Sequence, residues 1–294
     1  MTLYEEVRAA LRESEFRPRK KLGQNFLIQE RVIESILGLL DLDDNAQIVE
    51  IGPGLGFLTR RLVERAAKVW AVEVDATLVD RLRRSDFAAN TNFELIHGDV
   101  LEVPLPDKLP NRKVQLVGNL PYSISTPVLF RILEWHKRFS NVVVMVQKEV
   151  ADRIAGKPGT KDYGTLSVWC QVHGKITDKV GVSPEAFFPR PRVRSTVLKI
   201  ELFPEPRAAA EEMSILRGLV RAAFGQRRKT LTNALAAWMK DGRDEIEDFL
   251  RSQAIDPRRR GETLSVDEFV KLARAARRGF PLPGDNSQPN YGDN

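Results

Sequence analysis

Five short apolar runs, separated by segments of helical spacing, constrain this chain more than any other feature. They are "AQIVEIG" (46–52), "VWAVEVD" (69–75), "FELIHGD" (93–99), "VQLVGN" (114–119) and "NVVVMVQ" (141–147). Each is short enough for a buried strand, and four of the five close on glycine, aspartate or asparagine. Residues 57–67, 78–84 and 125–136 read as helices between them. Residues 29–40 put Val32, Ile33, Ile36, Leu37 and Leu40 on one helical face. Alternating strands and helices build a parallel sheet covered on both faces, and near-continuous apolar strands suit a sheet with no wet side. The expected fold class is therefore α/β, a doubly wound sheet.

The rhythm stops after residue 156. "GKPGTKDYG" (156–164) reads as a mobile, glycine-rich loop, 165–171 as a helix, and 175–182 and 193–203 as two later strands around "SPEAFFPRPR". "FPEPRAAAEE" (203–212) carries two prolines and then small and charged residues. A domain boundary is expected there, giving a sheet domain over 1–206 and a small all-α domain over 207–280. The tail 281–294 is expected to be disordered.

Composition narrows the function classes. One cysteine, Cys170, excludes an intramolecular disulfide and reads as a buried thiol. The three histidines are scattered, with no zinc-ligand spacing, so no metal is expected and a zinc deaminase is excluded. The N-terminus has no apolar signal core and contains four glutamates, so the chain is expected to be cytoplasmic. A net charge of +6 suits a polyanionic partner. Four basic runs sharpen this: Arg17–Lys21, Arg190–Arg194, Arg227–Lys229 and Arg258–Arg260.

"EIGPGLG" (50–56) follows the first strand and opens a helix, so its glycines allow a tight turn and close approach of backbone to a ligand. Glu73 lies 21 positions after Gly52, where a ribose diol needs its acceptor. Asp99 ends the third run. These sites sit at carboxyl ends of neighbouring strands, where doubly wound sheets bind ligands. A dinucleotide fingerprint would place its third glycine one position later. The pattern as it stands resembles class I S-adenosylmethionine-dependent methyltransferases.

Asn119-Leu120-Pro121-Tyr122 resembles the (N/D)-P-P-Y motif of enzymes that methylate exocyclic amines of bases. The chemistry agrees. An adenine N6 lone pair is delocalised into the ring, and two acceptors on its N–H bonds make the nitrogen more tetrahedral and nucleophilic. The Asn119 side-chain oxygen and the Leu120 carbonyl are the candidates, with Pro121 holding Leu120 extended. Tyr122 offers a ring to a base taken out of its stack, and Phe187 is expected to supply a second, with Phe188 read as core. Guanine would meet both acceptors with its O6 and lose those hydrogen bonds.

"KKLGQNFL" (20–27), "EIGPGLGFLT" (50–59), "NLPY" (119–122), "QKEVADRI" (147–154), "PGTKDYGTLSV" (158–168), "FFPRPRVRS" (187–195) and "FGQRRKTLTNAL" (224–235) complete a resemblance covering about 17–275. In this order they resemble the rRNA adenine N6,N6-dimethyltransferase family, small-subunit (KsgA/RsmA) type. The resemblance implies a class I, Rossmann-like methyltransferase sheet with a C-terminal helical docking domain. It implies S-adenosylmethionine as cofactor, with Asn25, Leu27, Gly52, Gly54, Glu73, Asp99 and Asn119 around it. The implied substrate is two adjacent adenines in a hairpin loop near the 3′ end of small-subunit rRNA, each dimethylated, in a pre-ribosomal 30S particle. Arg190, Arg192, Arg227, Arg228 and Lys229 are the candidate RNA contacts. A monomer is expected. The alternatives are an Erm-type large-subunit methyltransferase, a mitochondrial transcription factor relative, a nicotinamide-dependent oxidoreductase with no use for NLPY, and a purely RNA-binding assembly factor.

Overall fold

The structure is a computed structural model that describes residues 2–13, 23–239 and 242–279. The basic run 17–21 and the tail 281–294 lie outside the described residues. Two compact units emerge: Met1–Ala151 with Lys175–Leu202, and Asp152–Gly174 with Phe203–Asn294.

The first unit opens with α1 (Leu3–Glu13), β1 (Phe26–Leu27) and α2 (Glu30–Leu37). It continues through β2 (Gln47–Ile51), α3 (Phe57–Arg65), β3 (Lys68–Glu73), α4 (Ala76–Leu82), β4 (Phe93–His97), α5 (Leu105–Lys108), β5 (Val114–Asn119), α6 (Ser125–Glu134) and β6 (Phe139–Gln147). After α7 (Lys148–Ile154), β7 (Gly174–Val182), β8 (Phe187–Phe188) and β9 (Ser195–Leu202) complete it. Seven strands form one sheet in the order β4-β3-β2-β5-β6-β9-β7, and β1 pairs with β8 separately. Strands β4 to β6 are parallel, as the alternation predicts. β9 runs antiparallel to β6, so the sheet is mixed. Apolar runs report burial, not strand direction, which is why the sequence reading missed this.

Local chemistry explains the element ends. α2 buries Val32, Ile33, Ile36 and Leu37, the stripe expected from the spacing. The Asp75 carboxylate caps α4 by accepting from the Thr77 N–H. Gly56 opens α3 at φ +87, and a Cβ there would stand 2.9 Å from both Leu82 and Phe87. Only glycine fits that turn. Strand order reverses between β2 and β5, and the loops after these strands border the crevice where such sheets take ligands.

The second unit is helical: α8 (Thr165–His173), α9 (Met213–Gly225), α10 (Leu231–Met239), α11 (Arg243–Ser252) and α12 (Val266–Gly279). Its core joins Leu216, Leu219, Leu235, Leu250 and Phe269 to Tyr163, Val168 and Val172. The compact units therefore divide differently from the expected 206/207 boundary. The second begins again at Phe203 and also owns 152–174. Burial is the reason: residues 166–170 of α8 are all buried, with no face left for water.

The loop expected to be mobile is packed. Tyr163 is fully buried and meets Phe224 edge-on, with ring centroids 5.6 Å apart. The Gly159 N–H donates to the Glu262 carbonyl at 2.7 Å. Arg227 donates to the carbonyls of Lys161 and Tyr163 at 3.1 and 3.2 Å. A Cβ on Gly156 would press on the Asp162 carbonyl oxygen at 2.8 Å, so the glycine permits close packing rather than motion. The Tyr163 hydroxyl has no hydrogen-bond partner among the described residues. Tyr163→Ala is expected to cost about 3–5 kcal/mol in chemical unfolding, the scale for deleting a buried aromatic. Tyr163→Phe is expected to be neutral or stabilising, because it removes an orphaned buried hydroxyl. A large loss in the phenylalanine variant would contradict this packing.

Candidate active site

Strand register assembles the site. Ile51 on β2 pairs with Val72 on β3 and with Gly118 on β5, and Glu73 on β3 pairs with His97 on β4. The next residues, Gly52, Glu73, Gly98-Asp99 and Asn119, therefore stand at four adjacent strand ends. A Cβ on Gly118 would approach the Ile51 carbonyl oxygen at 2.9 Å. Glycine there lets β2 and β5 close up beneath the cavity. The cavity encloses about 240 Å³ and is walled by Asn25, Leu27, Gly52, Gly54, Glu73, Asp99, Asn119, Leu120, Pro121 and Tyr122 among others. All seven candidate cofactor residues and the whole NLPY stretch thus converge on one space.

Backbone donors hold the carboxylates in place. Glu73 Oε1 accepts from the Val74 and Asp75 N–H groups at 3.0 and 2.9 Å, and Oε2 accepts from the Gly54 N–H at 3.1 Å. Burial nevertheless raises the Glu73 pKa, and those backbone donations oppose the rise. Asp99 Oδ1 accepts from the Leu101 N–H at 2.9 Å, so Asp99 is a turn residue and a cavity residue at once. Gly54 takes φ +59, and a Cβ there would meet the Phe26 ring at 3.2 Å. The segment 23–27 thereby lies directly over the glycine loop. Gln24 Nε2 ties it to Asp75 Oδ2 at 3.0 Å.

The same segment orients Asn119. Its Nδ2 donates to the Asn25 carbonyl at 3.1 Å, which leaves the side-chain oxygen for another partner. Pro121 and Tyr122 carbonyls accept from the Ile124 N–H and the Ser125 hydroxyl at 3.1 and 3.3 Å. No donor among the described residues reaches the Leu120 carbonyl, and the Leu120 side chain is buried. What Leu120 offers the cavity is backbone. Tyr122 is half-buried, and its hydroxyl lies 2.6 Å from Ser195 Oγ. Burial raises the phenol pKa, so the group stays neutral.

Other candidates lie elsewhere. Phe187 is 2% exposed and packs in the core with Val32, Ile33 and Val197, so the expected second ring presents no face to the cavity. The partly exposed ring of the pair is Phe188, edge-on to Tyr4 at 6.5 Å. Alternation across the two-residue β8 assigns the faces opposite to the sequence reading. Arg190 pairs with Glu185, while Arg192 is exposed. In the second unit, Arg227 also pairs with Glu262 at 3.3 Å, so it fastens the 156–164 loop. Arg228 and Lys229 are exposed. Cys170 is buried, and burial pushes its thiol up to about 12.

Three contributors went unnoticed in the sequence. Val74 and Val100 wall the cavity beside Glu73 and Asp99, and Val74 is 47% exposed. An apolar residue between two acids in "EVD" was the available signal. Ser195 closes "FFPRPRVRS" but only three-dimensional proximity reveals its link to Tyr122.

Glu50, on β2, also walls the cavity. It is fully buried, and its Oε2 has no hydrogen-bond partner among the described residues. Burial pushes its carboxyl up to about 8; the neighbouring Thr59 hydroxyl opposes the rise and the nearby Glu73 charge adds to it. A carboxyl with a raised folded pKa destabilises the fold increasingly as pH climbs from its unfolded value towards the folded one. Glu50→Gln is therefore expected to gain stability over the wild type as pH rises from 4.5 to about 8, read by thermal unfolding across that range. A pH-independent difference would place the carboxyl in water rather than in this wall.

Comparison with known proteins agrees with this geometry. The ribosomal RNA adenine dimethylase family matches residues 15–277. A Geobacter metallireducens protein named ribosomal RNA small subunit methyltransferase A is 45% identical over 269 residues, spanning 90% of this chain and 98% of its own. A Desulfitobacterium hafniense protein of the same name is 45% identical over 256 residues, covering 87% and 91%. Among solved structures, a dimethyladenosine transferase from Plasmodium falciparum superposes with a TM-score of 0.74 at 24% identity, covering 86% of this chain and 98% of its own. The 23S rRNA methyltransferase ErmE superposes with a TM-score of 0.64 at 24% identity, covering 85% and 99%, and like the first speaks to fold alone. Matched over residues 15–277 and 45% identical to a relative across nine-tenths of its length, this chain belongs to the ribosomal RNA adenine dimethylase family.

Proposed function

We propose that the chain transfers methyl groups from S-adenosylmethionine to N6 of adenines in small-subunit rRNA. The observation that carries this reading is the pair of acceptors at the end of β5. The Asn119 amide nitrogen is held by Asn25, and the Leu120 carbonyl is left out of the turn that follows. Two fixed acceptors beside a cofactor-sized cavity suit an exocyclic amine with two N–H bonds. Family membership and relatives named for the small subunit support the substrate. They favour it over large-subunit RNA, for which the likeness rests on fold alone.

The cavity fits the cofactor. Glu73 Oε2 faces it as an acceptor for ribose hydroxyls, and Asp99 keeps its second oxygen for an adenine amine. Glu50, with its orphaned Oε2, suits the ammonium of the methionine end. Val74 and Val100 give an apolar flank for a purine. When bound, S-adenosylmethionine supplies a methyl group activated by a sulfonium. The protein's share is placement. Asn119 and Leu120 accept from the target amine and turn its lone pair out of the ring plane. Tyr122 stacks on the displaced base, returning about 1–3 kcal/mol towards the cost of unstacking. No strong base is needed, because the nitrogen becomes acidic once it is alkylated.

The finer reading is two adjacent adenines in a hairpin loop near the 3′ end, dimethylated on a pre-30S particle by a cytoplasmic monomer. The first unit is proposed as the catalytic part and the second as the docking part. Arg190, Arg192, Arg228 and Lys229 supply phosphate contacts.

Asn119→Ala is expected to lower tritiated methyl incorporation into unmethylated small subunits by about a hundredfold or more, the scale for losing one preorganised group at a reacting centre. Binding to the particle should persist. Wild-type incorporation by the variant would refute the acceptor role. Affinity for the particle should fall steeply with salt, and Arg228→Ala with Lys229→Ala should flatten that dependence by about one unit of slope per lost phosphate contact. An unchanged slope would remove these two residues from the RNA interface.

A further inference from the structure

Tyr122 is anchored at its far end by one residue with no assigned role. Ser195 is the first residue of β9 and is 1% exposed. Its Oγ lies 2.6 Å from the Tyr122 hydroxyl, a normal O–H···O length. The serine itself is rigidly placed. It pairs with Gln147 at the end of β6, and the preceding Arg194 carbonyl accepts from the Lys148 N–H at 2.9 Å. At the other end, the Tyr122 carbonyl is held by Ser125. The ring is thus fixed from backbone and hydroxyl together, at a wall of the cavity.

We propose that Ser195 is a positioning residue that holds the Tyr122 ring for the second methyl transfer to the same adenine, more than for the first. The inference rests on the adenine reading above. In the first transfer the amine has two N–H bonds, and Asn119 and Leu120 can take one each. After one methylation a single N–H remains, so one of the two orienting hydrogen bonds is gone. Alignment of the base then depends more on the face it stacks against. In the second transfer the nitrogen bonds to the methyl carbon as the carbon–sulfur bond breaks. The sulfur keeps that electron pair, and the last N–H proton leaves to water. A tyrosine free to turn lets the monomethylated base drift from that line, and hydrogen bonds of this kind are worth about three- to tenfold in rate or equilibrium.

Unmethylated small subunits are incubated with S-adenosylmethionine, and N6-methyladenosine and N6,N6-dimethyladenosine are quantified over time by mass spectrometry of the digested RNA. Ser195→Ala is expected to accumulate the monomethyl product, with the second transfer slowed about tenfold and the first by about threefold or less. Tyr122→Phe keeps the ring and removes only the hydroxyl, so it should give the same product ratio. The double variant should be no worse than either single one. Affinity for S-adenosylhomocysteine, by calorimetry, should stay at the wild-type value. Equal slowing of both transfers, or additive effects in the double variant, would overturn the proposal and leave Ser195 a strand-end residue. Weakened cofactor binding that tracks the rate loss would overturn it as well. If the wild-type protein methylates no adenine at all, it is the adenine reading that fails, a result distinct from any change in product ratio.

Discussion

The close pairing of β2 with β5 is the constraint on which the site depends. Ile51 and Gly118 stand opposite each other with no room for a methyl group between them. That contact sets the glycine loop and Asn119 side by side. The parallel register with β3 and β4 then brings Glu73 and Asp99 into the same row. A one-residue slip would turn every strand-end side chain to the opposite face. The chemistry of the cavity is therefore a consequence of sheet register, and the loops only trim it.

Much of this was legible beforehand because it depends on short-range rules. Buried strands announce themselves as apolar runs, and turns that need positive φ announce themselves as glycine. The spacing from Gly52 to Glu73 reflects one helix and one strand, α3 and β3. Other features depend on contacts between distant segments. The face that Phe187 presents is set by its pairing with Leu27, and two adjacent phenylalanines do not reveal in sequence which of them is buried. The 156–164 loop looks mobile by composition, yet its glycines permit the close packing that buries Tyr163. Arg227 sits in a basic run like a phosphate ligand, but two backbone carbonyls and Glu262 engage it. Basic runs state charge and not direction.

The second unit makes the same point for domain boundaries. The prolines after Leu202 lie where the second compact unit resumes at Phe203. They give no hint that α8, inserted between sheet strands, belongs with the C-terminal helices. What decides the matter is that α8 is buried almost all round, and the apolar faces of α9 and α12 complete its surroundings. Polar satisfaction distinguishes the two units as well. Glu50, with its orphaned oxygen, lines the cavity, whereas Tyr163, with its orphaned hydroxyl, belongs to the helical core.

The central claim is that the four strand ends and the NLPY turn form one methyl-transfer site for an adenine amine. Its most direct test is nucleoside-resolved mapping of the methyl groups that the purified protein adds to small subunits lacking them. The account predicts label on N6 of adenine in small-subunit RNA. Label on another atom or base, or on large-subunit RNA alone, would contradict it.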